Sequence, residues 1–338
     1  MQYLNVIRKR LLFLALVVIG VSMITFAISH LIPGDPAMLV AGDRATPEIV
    51  ERIREDMGLN KPLPEQYWIY LKGIVSGDLG TSLRTRRPVT EDLKLYFPAT
   101  LELAFVALVL ATAVGVPLGV ASAVWRDKPI DHLVRALAVT GISTPAFWLG
   151  LLLIVLFYGD LGLLPGGGRI DPDITRPPTV TGFLLIDALL AGDLTAFTSA
   201  VRHIILPALT LGFVHLGVVA RQIRSAMMEE LQQDYVRTAR ANGLSRRNVI
   251  FREALPNALI PSVTVLGLAL GDLLYGAVLT ETVFAWPGMG AYVVNSIQAL
   301  DFPAVMGFTV VVSFAYVLVN LAVDLLYMVI DPRIRSVN

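Results

Sequence analysis

Six long apolar segments dominate the chain and limit the folds open to it. A helix that crosses the ~30 Å hydrocarbon core of a bilayer needs about 20 apolar residues, because its backbone must satisfy its own hydrogen bonds there. The short alternating strands of an outer-membrane barrel are not seen. We therefore predict an all-α, polytopic integral membrane protein with about six transmembrane helices. The apolar segments cover residues 11–31, 99–124, 133–158, 204–220, 258–284 and 305–330.

Composition agrees with a membrane protein and excludes several kinds of chemistry. Charged residues make up 16% of the chain, whereas a soluble domain carries about 25%. There is no cysteine, so disulfides, iron–sulfur clusters and thiol catalysis are excluded. The histidines are far apart, and the phosphate-binding pattern Gly-x-x-x-x-Gly-Lys-Ser/Thr does not occur. We predict that the chain itself has no catalytic, cofactor-binding or metal site.

The distribution of basic residues predicts the orientation of the helices. The short segment 125–135 carries three Lys or Arg residues, segment 221–252 carries seven, and both chain termini are basic. The alternate short loops are poorer in positive charge, and loops longer than about 60 residues, such as 32–98, largely escape the positive-inside rule. We therefore expect both termini to be cytoplasmic. The first apolar run is long enough to be a retained helix rather than a cleaved signal peptide.

The segments between the apolar runs suggest four regions. Residues 1–31 form the cytoplasmic N-terminus and first helix, 32–98 an extracytoplasmic helical cap, 99–330 a core of five helices, and 331–338 a cytoplasmic tail. Within the cap, one helix is expected to start at Pro47 and stop at Gly58, and a second to run from near Pro64 to Gly77. Segment 182–191 is too short for a seventh span and suits an interfacial or re-entrant segment.

The Arg-rich segment 221–256 is the most informative of the predicted cytoplasmic loops. Gly243 is placed to end a short helix in a left-handed turn, and Ser245 to cap the next helix. A short helix held at the membrane surface could transmit movement from a soluble partner. Alternatively, the loop only fixes topology and touches anionic lipid. The apolar stripe predicted along this segment consists of Ile223, Met227, Leu231, Tyr235 and Ala239.

Ionisable residues within the apolar runs are the remaining candidates for function, because burying charge in a membrane is costly. Asp272 lies in the middle of the fifth run, where it could line a path or bond to a neighbouring helix. We expect Glu281 and Glu102 to be interfacial and His215 to be a packed core histidine. A membrane-embedded enzyme using Asp272, Glu281 and His215 is one alternative, and an ion-coupled carrier acting alone is another. Such carriers have inverted repeats, which we do not detect.

Several motifs resemble those of one transporter family. The stretch from Arg237 to Gly243, followed by Phe251 to Pro261, resembles the coupling loop of permease subunits of ATP-binding-cassette importers of the peptide class. Further motifs of that family are Pro-Gly-Asp-Pro at 33–36, Gly-Asp-Leu-Gly-Thr-Ser at 77–82, Ser-Thr-Pro-Ala-Phe-Trp-Leu-Gly at 143–150 and Glu-Thr-Val-Phe-Ala-Trp-Pro-Gly-Met-Gly at 281–290. The long loop after the first helix is most similar to that of the first permease subunit of dipeptide transporters.

This resemblance implies a fold, a function and a set of partners. The fold would be that of a type I importer permease, with residues 99–330 as its core, in the inner cell membrane. The chain would form half of a path for dipeptides, beside a second permease, and would contact membrane lipid but no nucleic acid. Two ATPase subunits would bind ATP and Mg, and an extracytoplasmic binding protein would deliver the peptide. Oligopeptides, glutathione, opines, haem and nickel stay open as substrates.

The same resemblance implies which residues contact the ATPases. The coupling loop would carry the motion of the ATPases to the membrane helices. Its residues are Tyr235, Arg237, Thr238, Ala239, Arg240, Ala241, Asn242, Gly243 and Leu244.

Overall fold

A computed structural model describes residues 2–31, 36–41, 45–56 and 58–330. Within these residues every regular element is a helix, and the only β-type pairing is an isolated antiparallel bridge between Thr81 and Pro88. The predicted all-α class is therefore confirmed. The helices are α1 Gln2–Leu31, α2 Pro36–Ala41, α3 Pro47–Asp56, α4 Leu63–Ser76, α5 Val89–Val124, α6 Pro129–Ser143, α7 Ala146–Leu153, α8 Leu184–Leu190, α9 Leu194–Glu230, α10 Asp234–Ala241, α11 Arg246–Asn248, α12 Leu255–Val283, α13 Met289–Gln298 and α14 Phe302–Ile330, with π-helical segments at Ile154–Asp160 and Val249–Ala254.

The number of membrane-length helices agrees with the sequence. Among the described residues, four helical stretches are long and apolar enough to cross a bilayer: 8–31, 89–124, 194–230 and 302–325. Two further pairs of helices are long and apolar enough only when each pair is taken together, and both pairs are bent at a short break. If each pair is counted as one span, the number of candidate spans rises to six. Helix α8, with seven residues, is too short to cross.

The third predicted span, residues 133–158, is a bent pair of helices rather than one continuous helix. The chain bends by 105° between α6 and the pair formed by α7 and the π-helical segment after it. Thr144 has an extended backbone (φ −88°, ψ 121°), and Pro145 follows it. Proline has no N–H to donate and disfavours a helical conformation in the residue before it, so the helix breaks here. This stretch is therefore a broken span or a re-entrant loop.

The chain divides into two compact units, of which the first comprises residues 3–97 and 291–317. Its two short helices agree with the sequence: α3 begins at Pro47, and Gly58 follows with φ +68°. Helix α4 ends at Gly77, whose φ of 78° is left-handed. The Tyr67 hydroxyl on α4 lies 3.1 Å from the Ser22 hydroxyl of α1, which joins the two helices. Met57, predicted on the apolar face of α3, lies outside the described residues.

Among the described residues, the second unit comprises 98–290 and 318–330 and is organised around α9. Helix α9 extends beyond the predicted span 204–220 at both ends. Neighbouring helices approach its backbone so closely that a side chain would collide: a Cβ on Gly212 would lie 2.8 Å from the Ala107 carbonyl oxygen, and one on Gly119 would lie 2.6 Å from that of Ala220. Small residues of this kind allow membrane helices to pack tightly.

Candidate functional site

The predicted coupling loop forms a hairpin around α10, here called the α10 hairpin and defined as residues 221–263. Helix α9 ends at Glu230, and α10 starts at Asp234. Between them Gln233 has an extended backbone (φ −67°, ψ 152°), which changes the direction of the chain. The predicted continuous stripe from Ile223 to Ala239 is therefore wrong, because its two ends lie on separate helices.

Helix α10 is anchored by one fully buried side chain. Val236 is 0% exposed and is the only buried residue of this helix. It belongs to an apolar cluster that also includes Ile223 and Met227 of α9 and Val249 of the following π-helical segment. Burial of one valine side chain contributes about 1.5–3 kcal/mol, so the helix is attached but not deeply embedded.

The C-terminal end of α10 is closed by backbone hydrogen bonds. The N–H of Leu244 donates to the Ala239 carbonyl (3.2 Å), and the N–H of Gly243 donates to the Arg240 carbonyl (3.0 Å). This pair of bonds is a Schellman motif, which requires a left-handed residue, and Gly243 has φ +81°. Ser245 Oγ then accepts a bond from the Asn248 N–H (3.3 Å). Both local predictions, at Gly243 and at Ser245, are confirmed.

Tyr235 joins three parts of the hairpin, an arrangement that sequence reasoning missed. Its hydroxyl donates to Glu230 Oε2 at the end of α9 (2.5 Å) and accepts from Asn257 Nδ2 at the start of α12 (3.1 Å). Burial and then the Glu230 carboxylate raise the pKa of Tyr235 to about 12, so the phenol stays protonated at neutral pH. The one sequence signal was the polar Asn257 in the first turn of a long, largely apolar helix.

The rest of α10 and its C-terminal turn present polar and small groups to the surroundings. Arg237 pairs with Asp234 at 3.2 Å, but both side chains are largely exposed, so the pair adds little stability. Ala239 is half-buried. The remaining predicted coupling residues are exposed and available to a partner: Arg237, Thr238, Arg240, Ala241, Asn242, Gly243 and Leu244.

A buried ion pair, also missed by sequence reasoning, fixes the helices next to the hairpin. Arg224 of α9 donates to both oxygens of Asp131 on α6, at 2.8 and 3.0 Å. The carboxylate is fully buried and also accepts bonds from Ser122 Oγ (2.5 Å) and the Asp127 N–H (3.0 Å). A bidentate pair with its remaining lone pairs satisfied is strong and directional. It holds α5 and α6 against α9 at the start of the α10 hairpin.

Glu281, which the sequence predicts to be interfacial, lies near the end of α12 and is fully buried within the chain. Its carboxylate accepts bonds from Thr100 Oγ1 and from the Gly290 N–H, both at 2.6 Å. The turn that follows α12 folds back over this carboxylate and encloses it. A Cβ on Gly288 would overlap the carboxylate, which explains why glycine stands there.

Glu102, for which the same interfacial position is predicted, is likewise buried within the chain, at 3% exposed. It pairs with Arg169 and accepts a bond from the Leu185 N–H (2.7 Å). The Arg169 guanidinium also donates to the Gly182 carbonyl (3.2 Å) and lies 5.4 Å from the ring of Trp286. Glu281 and Glu102 with their partners are called the carboxylate cluster below. Its members are Thr100, Glu102, Arg169, Glu281, Trp286 and Gly290.

The proposed acid–base set is not assembled into one site. Asp272 and Glu281 stand nine positions apart on α12, which separates them by about 14 Å along the helix axis. Asp272 is exposed in the isolated chain, His215 is half-buried, and Glu281 is enclosed. Among the described residues, no group of three or more His, Cys, Asp or Glu side chains could hold a metal ion.

Comparison with known proteins now identifies the family. Residues 115–336 match the family described as binding-protein-dependent transport system inner membrane component, and residues 3–104 match the N-terminal domain of such membrane components. The chain belongs to this family. The match covers both the core and the loop 32–98, so the resemblance seen in the sequence motifs is confirmed. The chain is therefore an inner-membrane transport subunit with several apolar helices.

Several relatives that are named as permeases are similar to this chain over almost its whole length. The probable D,D-dipeptide transport system permease protein of Escherichia coli (strain K12) is 68% identical over 334 residues, covering 99% of this chain and 98% of the relative. The dipeptide transport system permease protein of the same organism is 48% identical, covering 94% of each chain. The glutathione transport system permease protein of Salmonella paratyphi A is 40% identical, covering 98% of this chain and 99% of the relative.

Proposed function

We propose that this permease forms half of the membrane path of an ATP-driven importer of dipeptides. The relatives support the substrate class, since two of them are named for dipeptide transport and one for glutathione, itself a small peptide. The relative with 68% identity is named for D,D-dipeptides, which makes peptides of that stereochemistry the first to test. An extracytoplasmic binding protein delivers the peptide, and a second permease completes the path.

The observation that carries this proposal is the construction of α10. The helix has one buried anchor, a closed C-terminal end and an exposed outer face. The Tyr235 hydroxyl connects it to the ends of both α9 and α12, each long enough to belong to the membrane path. A soluble ATPase that pushes on α10 would therefore move both helices. ATP and Mg belong to two partner ATPases, which dock from the side where the chain termini also lie.

Asp272 is proposed to face the path or the second permease. Its side chain is exposed on the surface of the isolated chain, in the middle of a long apolar helix. A carboxylate facing lipid at that depth is costly, whereas one facing an aqueous path or a polar partner is not. We expect Asp272→Asn to lower transport at least tenfold while the complex still assembles. If the Asp272→Asn variant transports peptide as well as wild type, Asp272 does not contribute to the path.

The test is ATP-dependent uptake of a labelled dipeptide into proteoliposomes that contain this chain with its co-encoded partners. Wild type is compared with Gly243→Asp, which places a side chain and a charge at a left-handed position on the exposed turn. The backbone at φ +81° is strained for any side chain, but aspartate tolerates this region better than most residues and no atom lies near its Cβ, so the rest of the chain should stay folded. We expect uptake to require every partner, and the mutant to assemble but to lose transport.

Two outcomes would contradict the proposal. Uptake by this chain alone, driven by an ion gradient, would favour the independent carrier. Normal ATP-dependent transport by the Gly243 variant would mean that the coupling contact lies elsewhere. The substrates are then ranked by how strongly each one inhibits uptake of the labelled peptide in the same vesicles. The unlabelled competitors are D,D-dipeptide, L,L-dipeptide and glutathione.

A further inference from the structure

A groove of about 430 Å³ opens within the α10 hairpin. Two arginines line it, Arg240 in the last turn of α10 and Arg246 at the start of α11. The rest of its lining is apolar, and no carboxylate is among the described residues that form it. The apolar floor consists of Val124, Leu231, Leu244, Val249 and Ile250.

One wall of the groove is the end of a membrane-length helix. Val124 is the last residue of α5, a 36-residue candidate span. Arg246 donates to the Val124 carbonyl (3.4 Å), which ties the basic rim to this helix end. The next residue, Trp125, is 48% exposed, and tryptophan is enriched where helices leave the hydrocarbon core. The groove therefore lies at the level of the membrane surface.

The two arginines of the groove differ in their partners from Arg224 and Arg237 of the same hairpin. Arg224 is neutralised by Asp131, and Arg237 lies beside Asp234. Neither Arg240 nor Arg246 forms an ion pair with any residue that the structure describes. A guanidinium group presents a planar set of donors that matches phosphate oxygens, and two of them beside an apolar floor suit a ligand with an anionic head and an apolar body.

We propose that this groove binds one anionic phospholipid, with its phosphate at Arg240 and Arg246 and its glycerol and upper acyl carbons over the apolar floor. A lipid is favoured over a soluble protein segment because the end of a membrane helix forms part of the groove. The bound lipid bridges α10 to α5, so the movement of α10 depends on the anionic lipid content of the membrane. The cytoplasmic leaflet and the link to movement of α10 rest on the proposed function, whereas the binding of a lipid in the groove does not.

The test measures lipid binding directly and uses two neighbouring arginines as a matched pair. The purified, delipidated complex is titrated with phosphatidylglycerol or phosphatidylethanolamine, and bound lipid is counted by native mass spectrometry. Arg246→Gln removes a lining charge, whereas Arg247→Gln removes the same charge from an exposed neighbour that does not line the groove. We expect Arg246→Gln to weaken phosphatidylglycerol binding about fivefold, the Arg240→Gln/Arg246→Gln double variant to weaken it more, and Arg247→Gln to leave it unchanged.

Several results would contradict the proposal that the groove binds a lipid. Equal losses in the two single variants would mean a diffuse charge effect, and equal binding of both lipids would mean that the headgroup is not recognised. Displacement of the lipid by excess inorganic phosphate alone would indicate a free-anion site. Loss of the ATPase subunits from the Arg246 variant, with lipid binding unchanged, would assign the groove to a protein partner. Because binding is read without transport, this test is independent of the coupling proposal.

Discussion

The carboxylate cluster and the α10 hairpin are stabilised by different kinds of interaction. In the cluster, two buried carboxylates are fully surrounded by donors, and a glycine at position 288 leaves room for one of them. In α10, at the centre of the hairpin, one valine is buried and the remaining polar contacts reach the surface. A buried charge strongly penalises any loss of its partners, whereas a partly exposed hydrogen bond can open at little cost. The cluster is therefore suited to a fixed framework and the hairpin to a moving contact.

The largest effect is expected at the cluster, from Arg169→Met. This change leaves the Glu102 carboxylate buried without its cation, which costs about 3–5 kcal/mol of unfolding free energy. Thermal unfolding of the detergent-purified chain would measure it. The double variant Glu102→Leu/Arg169→Met removes both charges and should recover most of the loss. A single variant as stable as wild type would show that the pair does not support the framework.

A steric change should have the next largest effect. Gly288→Ala places a methyl group against the enclosed Glu281 carboxylate, and we expect a loss of about 1–3 kcal/mol from overpacking. Gly159→Ala is the matched control, because the nearest atom to its Cβ lies 4.0 Å away. Similar melting temperatures for the two variants would mean that the turn over Glu281 can shift to accommodate a methyl group. The cluster would then not be more rigid than the hairpin.

A change in the hairpin should alter coupling more than stability. Tyr235→Phe removes the hydroxyl that joins α9, α10 and α12, at a cost of about 0.5–1.5 kcal/mol. We expect ATP hydrolysis to continue while the amount of peptide moved per ATP falls. Asn257→Ala should act in the same way, and the double variant should be no worse than either single one. Additive losses, or equal losses of hydrolysis and transport, would mean that the hydroxyl has no coupling role.

The smallest effect concerns the acid sensitivity of the segment beside the cluster. Burial by itself would raise the pKa of Asp187, but bonds from the Thr181 N–H and hydroxyl (both 2.7 Å) and from the Gly182 N–H (3.0 Å) lower it overall. A carboxyl whose pKa is lower in the folded chain stabilises it fully above the ordinary value near 3.8, and this stabilisation is lost as the pH falls through the folded pKa.

The corresponding measurement is thermal unfolding of wild type and Asp187→Asn from pH 6 down to about pH 3. Wild type should lose its advantage over the variant only at the acid end of this range. A constant difference between the two proteins at every pH would show that ionisation of Asp187 does not contribute.

Local features were predictable from the sequence because their causes are local. Gly243 and Gly77 end helices at left-handed positions, and Ser245 caps α11, as expected from residue type and spacing. The membrane class followed from six apolar runs, since the length of a span is fixed by the bilayer. The partners of Tyr235 and Arg224 were not predictable in the same way, because Asn257 and Asp131 are 22 and 93 positions away.

The sequence by itself determined the class of this protein, its family and the position of the short helix α10. Hydrophobic length, helix-ending glycines and ordered motifs are properties of short stretches, so no knowledge of packing was needed. Tertiary structure alone decided that Glu281 and Glu102 are enclosed and that Arg240 and Arg246 share a groove with the end of α5. Burial and pairing depend on which distant segments meet, and a linear pattern of residues does not contain that information.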